Sequence, residues 1–105
     1  MLQKRSLIIN NLKKYISEQI VHALNRLELP LNEFSLSAPK QDDFGDLSTN
    51  VAMILAGEIK KSPLEIAKNI QKNLLENDLD NIKNITVTPP GFINFIINQS
   101  FYQNK

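Results

Sequence analysis

Apolar residues recur at spacings of three and four through Ile8, Leu12, Ile16, Ile20, Ala23 and Leu27. That rhythm predicts one long helix over roughly Leu2 to Leu27, with a single stripe turned toward a core. Lys4, Arg5, Lys13, Lys14 and Arg26 fall largely off the stripe. They suit a solvated helix surface, with a weak phosphate-facing contribution as the alternative. Pro30 interrupts the helical pattern. Over Phe34-Ser35-Leu36-Ser37-Ala38 the pattern becomes strict alternation, the period of a half-buried strand. Pro39 closes that strand, and Lys40 to Asp46 reads as a polar loop.

A second helix is expected from about Leu47 to Lys60, with Leu47, Val51, Ile54, Leu55 and Ile59 on one face. Asp46 is its natural cap, because a carboxylate there can accept from the unpaired amides of the first turn. The third helix has the clearest start. Ser62 caps, Pro63 suits the first helical position, and Glu65 completes a capping box. Leu64, Ala67, Ile70 and Leu74 then line one face down to about Asn77. Ile82 to Thr88 is rich in β-branched residues and reads as a strand. Pro89-Pro90-Gly91 is a turn in which Gly91 permits a positive φ, and Phe92 to Ile97 returns as a second strand. The order α-β-α-α-β-β predicts an α+β domain, with three main helices packed on one face of a small, mostly antiparallel β-sheet. The domain is expected over 1–97, with 98–105 a polar tail or the start of a connection to another domain.

Composition narrows the function more than the fold. The chain has 105 residues, which admits one domain with a modest core. No apolar run approaches the ~20 residues of a membrane-spanning helix. The opening Met1-Leu2-Gln3-Lys4-Arg5 has no apolar region after its charges, so no signal peptide is expected. Cysteine is absent. That excludes disulfides and thiolate metal sites and fits a cytoplasmic location. The net charge is only +1, so any contact with nucleic acid must be local rather than a broad basic face. The single His22 and the scattered acids show no metal-ligand spacing. Asp42, Asp43 and Asp46 read as a polar loop plus a helix cap. Three glycines, at Gly45, Gly57 and Gly91, cannot build a phosphate-cradling loop. With no nucleophile–base pair to recruit, no catalytic activity and no bound cofactor are expected of this chain.

The last strand carries the candidate chemistry. Side chains alternate between sheet faces. If Ile93, Phe95 and Ile97 meet the helices, Phe92, Asn94 and Ile96 face away. Asn84, Thr86 and Thr88 of the neighbouring strand share that outer face when Ile85 and Val87 point inward. An aromatic ring there can stack on an unpaired base, worth ~1–3 kcal/mol. An amide two residues along can offer a donor and an acceptor to a base edge. The plainer alternative is a Phe at the edge of the core.

Three stretches resemble one known family. Phe44-Gly45-Asp46-Leu47-Ser48-Thr49-Asn50-Val51-Ala52-Met53-Ile54-Leu55-Ala56 is similar to the N-terminal signature of arginyl-tRNA synthetases, where Phe-Gly-Asp leads into Asn-x-Ala-Met-x-Leu-Ala. Pro63 with Ile66-Ala67 matches a second block, and Pro90-Gly91-Phe92-Ile93-Asn94-Phe95 resembles the family's Pro-Gly-Phe-Ile-Asn strand. The resemblance implies a domain set ahead of the catalytic core, reaching the outer corner of tRNA(Arg) and contacting its D-loop. An exposed loop base would be held by an aromatic stack at Phe92 and an amide at Asn94. Lys40, on the polar loop, is the candidate phosphate contact. Phe44-Gly45-Asp46 reads as a tight turn, a staple and a cap, with an RNA or catalytic-domain contact as the alternative. Asn50, one turn on, would either bond neighbouring backbone or point outward.

The family's adenylate-forming motifs, of the His-x-Gly-His and Lys-Met-Ser-Lys types, have no match in this chain, nor has its helical anticodon-binding region. The resemblance therefore implies the N-terminal portion of a longer synthetase, or a free-standing relative of it. The parent enzyme would join arginine to tRNA(Arg) using ATP and Mg²⁺. The expected partners are tRNA(Arg) and the catalytic domain of the same synthetase, with no membrane and a monomeric chain. A docking module that shares the fold without binding RNA is the competing possibility. It would show a contiguous apolar patch, whereas a base site would show one aromatic ringed by polar groups.

Overall fold

The long amphipathic pattern forms α1 (Leu2–Arg26). The computed structural model describes residues 2–39 and 45–98, with side chains from Asn10 onward. Along α1, Leu12, Ile16, Ile20 and Ala23 are buried as their spacing requires, joined by Leu24. Lys14 and Arg26 are exposed and Lys13 is half-buried, in keeping with the solvated-surface reading. The helix packs on α3 (Pro63–Glu76), and Arg26 Nε donates to Asn73 Oδ1 at 2.8 Å near its end. The α3 start is as expected: the Ser62 hydroxyl accepts from the Glu65 N–H at 3.4 Å, with Pro63 in the first turn.

The sheet has four antiparallel strands in the order β1-β2-β4-β3: β1 (Leu36–Ser37), β2 (Leu47–Thr49), β3 (Ile82–Thr88) and β4 (Phe92–Ile97). The β3 and β4 boundaries coincide with the alternating stretches. Strand β1 is shorter than the alternation of 34–38. Strand β2 was not expected at all. Leu47-Ser48-Thr49 lies in the sheet rather than opening a helix, and α2 spans only Val51–Ile59. The cause is Asp46. Its N–H donates to the Phe95 carbonyl at 3.0 Å, and its Oδ2 accepts from the Ile97 N–H at 2.8 Å. Asp46 thus fastens the incoming chain to β4 instead of capping α2. Gly45 precedes it at φ 116, where a side chain would be strained and a Cβ would stand 3.1 Å from the Phe95 carbonyl.

Gly91 also departs from expectation. It does not have a positive φ; its requirement is space. A Cβ there would lie 2.9 Å from Pro63 Cβ and 3.0 Å from the Pro63 carbonyl oxygen. The turn before β4 is therefore pressed directly against the start of α3, and its Pro89–Pro90 peptide is cis.

One apolar core unites the elements. Leu47, Ile85, Ile93, Phe95 and Ile97 of the sheet are buried together with Val51, Ala52 and Leu55 of α2 and Ile66, Ala67, Ile70 and Leu74 of α3. The helices therefore cover one sheet face, giving the α+β architecture that the pattern predicts. Among the described residues no helix covers the other face.

Candidate functional site

The strand registers fix the site. Ser37 stands opposite Ser48, Ser48 opposite Asn94, and Asn94 opposite Thr86. A row of small polar side chains thus crosses all four strands on the face away from the helices. Thr88 pairs with Phe92 one step along. Above this row lies a cleft of about 470 Å³. One wall is Ser35, Ser37, Ala38 and Pro39, the opposite wall Thr88, Pro89 and Phe92, and Ser48, Thr49, Asn50 and Asn94 lie between them. None of these described lining residues carries an ionisable side chain.

Phe92 and Asn94 are brought together, as alternation requires, but in different ways. Phe92 is 39% exposed and offers ring surface to the cleft. Asn94 is only 1% exposed although it lies on the outer face. Its Nδ2 donates to Thr88 Oγ1 at 3.2 Å and to Thr86 Oγ1 at 3.4 Å. Its Oδ1 is buried and has no hydrogen-bond partner among the described residues. Both amide hydrogens are therefore committed to threonines. What the amide holds in reserve is an acceptor, not the donor–acceptor pair expected from the sequence. An unsatisfied buried acceptor costs ~1–3 kcal/mol, and such groups are rare enough to call for a ligand, a water or a structural reason.

Asn50 is also settled. Its Oδ1 accepts from the Ser35 N–H at 2.9 Å, so it ties the chain entering β1 to the start of α2 and shapes the cleft wall. It makes no side-chain cap bond on its own helix. Lys40, Asp42, Asp43 and Phe44 lie outside the described residues; Pro39, next to Lys40 in the chain, lines the cleft. Among the described residues no group of three His, Cys, Asp or Glu could hold a metal ion. No described helix is long and apolar enough to cross a membrane.

Ser35, Ser37 and Ser48 were missed as site residues because Ser48 had been placed in a helix. The signal available was Asn50, a residue type favoured at the position before a helix, which would have moved the α2 start and freed Leu47-Ser48-Thr49 for a strand. Among the described residues the exposed large hydrophobics are Leu31 in the connection between α1 and β1, Leu75 on α3 and Phe92 on β4. Phe92 is set among Ser, Thr, Asn and Pro side chains.

Comparisons with known proteins cover most of the chain. Residues 10–97 match the family model described as "Arginyl tRNA synthetase N terminal domain". Arginine–tRNA ligase of Mesomycoplasma hyopneumoniae strain J is 40% identical over 93 residues, covering 89% of this chain and 17% of that protein. The corresponding ligase of Mycoplasmoides gallisepticum is 45% identical over 85 residues, covering 80% and 15%. That of Thermotoga maritima is 42% identical over 91 residues, covering 87% and 16%. Among solved structures, Thermus thermophilus arginyl-tRNA synthetase superposes with a TM-score of 0.74 at 22% identity, over 85% of this chain and 14% of that one. At that identity the likeness speaks for the fold. The chain thus spans less than a fifth of the length of these relatives, and the matched part is an N-terminal domain rather than their catalytic region.

Proposed function

This chain belongs to the arginyl-tRNA synthetase N-terminal domain family, and from that premise we propose that it is a tRNA-binding accessory domain whose outer sheet face holds an unpaired D-loop base of tRNA(Arg). One observation carries the reading: an exposed Phe92 ring flanks an uncharged cleft beside the unsatisfied acceptor of Asn94. RNA recognition commonly takes unstacked loop bases between an aromatic face and polar side chains. An uncharged cleft suits a neutral ring better than a phosphate. Lys40, beyond Pro39, is the proposed phosphate contact. In this reading the joining of arginine to tRNA, with ATP and Mg²⁺, belongs to the rest of a cytoplasmic ligase, in which this domain is a monomeric attachment to the catalytic domain.

Binding by the chain alone is expected to be weak. With a net charge of +1 it gains little from counterion release. One stacked base worth ~1–3 kcal/mol falls short of the ~4 kcal/mol behind a millimolar dissociation constant. The test is an NMR titration of the isotope-labelled chain with a D-arm hairpin at low and moderate salt. Shifts are expected on Phe92, Asn94, Thr86 and Thr88, and they should vanish when the target loop base is removed. Shifts that persist without that base would show RNA binding that does not depend on it. No shifts at millimolar RNA would mean that the chain alone does not recognise this arm, as expected of a domain that acts only within the intact synthetase or of a docking module.

A further inference from the structure

We infer that the outer edge of β3 is a strand-pairing surface held closed by Gln71 and Asn84, and that without them it would take a second copy of this chain. The sheet order β1-β2-β4-β3 leaves two outer strands among the described residues. Strand β1 has two residues, too few to template a partner, whereas β3 has seven. The longer one carries the hazard, since an outer strand presents unpaired N–H and C=O groups to other chains.

The register identifies those groups. In an antiparallel ladder, residues that exchange bonds with their neighbour alternate with residues that do not. Ile85 stands opposite Phe95, whose carbonyl accepts from the Asp46 N–H and so points toward β2. Ile85 therefore turns its own N–H and C=O away from β4, and Val87, two residues on, does the same. Both groups of Ile85 are already occupied. Its N–H donates to Asn84 Oδ1 at 2.8 Å, and its carbonyl accepts from Gln71 Nε2 of α3 at 2.7 Å. The flanks are blunted as well: the register shifts between Ile82 and Asn84, beside exposed Lys83, and Pro89 follows Thr88.

Occupying this one residue is enough to close the edge. Two copies of β3 paired antiparallel about Thr86 would set Ile85 of each against Val87 of the other. Each of those pairs would exchange both of its N–H···O bonds, and every one of the bonds uses a group of Ile85. A pairing centred on Val87 sets Ile85 against Pro89, which has no N–H to offer. With Ile85 free, the ladder about Thr86 is worth a dissociation constant of about 1 mM. With Ile85 occupied, none of it forms.

The test uses the isotope-labelled chain and its Gln71→Ala, Asn84→Ala double variant, which frees both groups without adding apolar surface. Analytical ultracentrifugation up to ~1 mM should find the unaltered chain monomeric and the folded double variant in a monomer–dimer equilibrium. Hydrogen exchange locates the contact. In dilute solution the Ile85 amide should exchange about fivefold faster in the variant, the equivalent of one lost hydrogen bond. As concentration rises, the Ile85 and Val87 amides of the variant should become protected together. If the double variant does not fold, Asn84→Ala alone, at an exposed position, frees the Ile85 N–H and should give the same dimer more weakly. A folded variant that stays monomeric would overturn the inference. So would association that leaves those two amides unprotected, or an unaltered chain that already pairs through them.

Discussion

Adjacent residues of β4, a strand of six, live in two different chemistries. Toward the helices, Ile93, Phe95 and Ile97 are buried among aliphatic side chains. Toward the other side, Phe92 is partly exposed and Asn94 is buried among hydroxyls. Burial on the helix side is non-directional, since apolar area gains roughly in proportion to what is removed from water. Burial on the cleft side is directional, because each polar atom taken from water needs a partner at a defined position. Alternation therefore tells which side a residue takes but not how deep it lies. Asn94 is as inaccessible as the core residues beside it, yet its side chain is held by threonine hydroxyls.

The sharpest way to break this contrast is to empty the helix side. Phe95 has no exposure and is among the largest fully buried side chains. Phe95→Ala should cost ~3–5 kcal/mol, the usual penalty for deleting a buried aromatic. Denaturant unfolding followed by far-UV circular dichroism measures it. A loss below about 1 kcal/mol would mean that the core beneath the cleft is far looser than its burial indicates.

A smaller effect is expected where the two sides are joined. Gly91→Ala places a Cβ 2.9 Å from Pro63 Cβ, and the nearest atoms belong to a proline ring and backbone that cannot swing aside. Overpacking of this kind costs ~1–3 kcal/mol. Because Gly91 leads into β4, the strain should also shift the amide resonances of Phe92 and of the first turn of α3. An alanine variant as stable as the original, with an unchanged spectrum, would show that the turn is not pressed against α3.

These two positions also show what could be read in advance. Phe95 was legible because a period of two in a short β-rich run states its own side of a sheet. The α3 start was legible too, since Ser62, Pro63 and Glu65 act on one another within four residues. Gly91 was picked out for the wrong reason: its neighbour is Pro63, 28 positions back (91 − 63), and no local pattern reports such an approach. Asp46 failed similarly. A carboxylate before an apolar run has the local grammar of a cap, but Ile97 and Phe95 compete for it from across the fold and win. With Asp46 misread, β2 became helix, and Ser48, Ser37 and the polar row across the sheet were lost with it. The outer-face placement of Phe92 and Asn94 was legible because they belong to the strand whose alternation is clear.

The smallest change in stability is expected on the cleft side, at Phe92. With 39% of its surface still exposed, its ring has little core contact to lose, and Phe92→Ala should cost about 1 kcal/mol or less in unfolding. Its effect on function should run the other way. In a full-length synthetase carrying this domain, losing the stack would forfeit ~1–3 kcal/mol of base binding, which is about 5- to 150-fold in the efficiency of tRNA charging if that base is held in the transition state. Residual charging should follow from contacts made elsewhere on the tRNA. Paired measurements of unfolding and of charging kinetics on the same substitution separate the two faces of β4. If Phe92→Ala destabilised the domain as severely as Phe95→Ala, Phe92 would be an edge of the core. If it altered neither stability nor charging, the cleft would lose its claim to a base, because among the described lining residues Phe92 has the one aromatic ring to stack on.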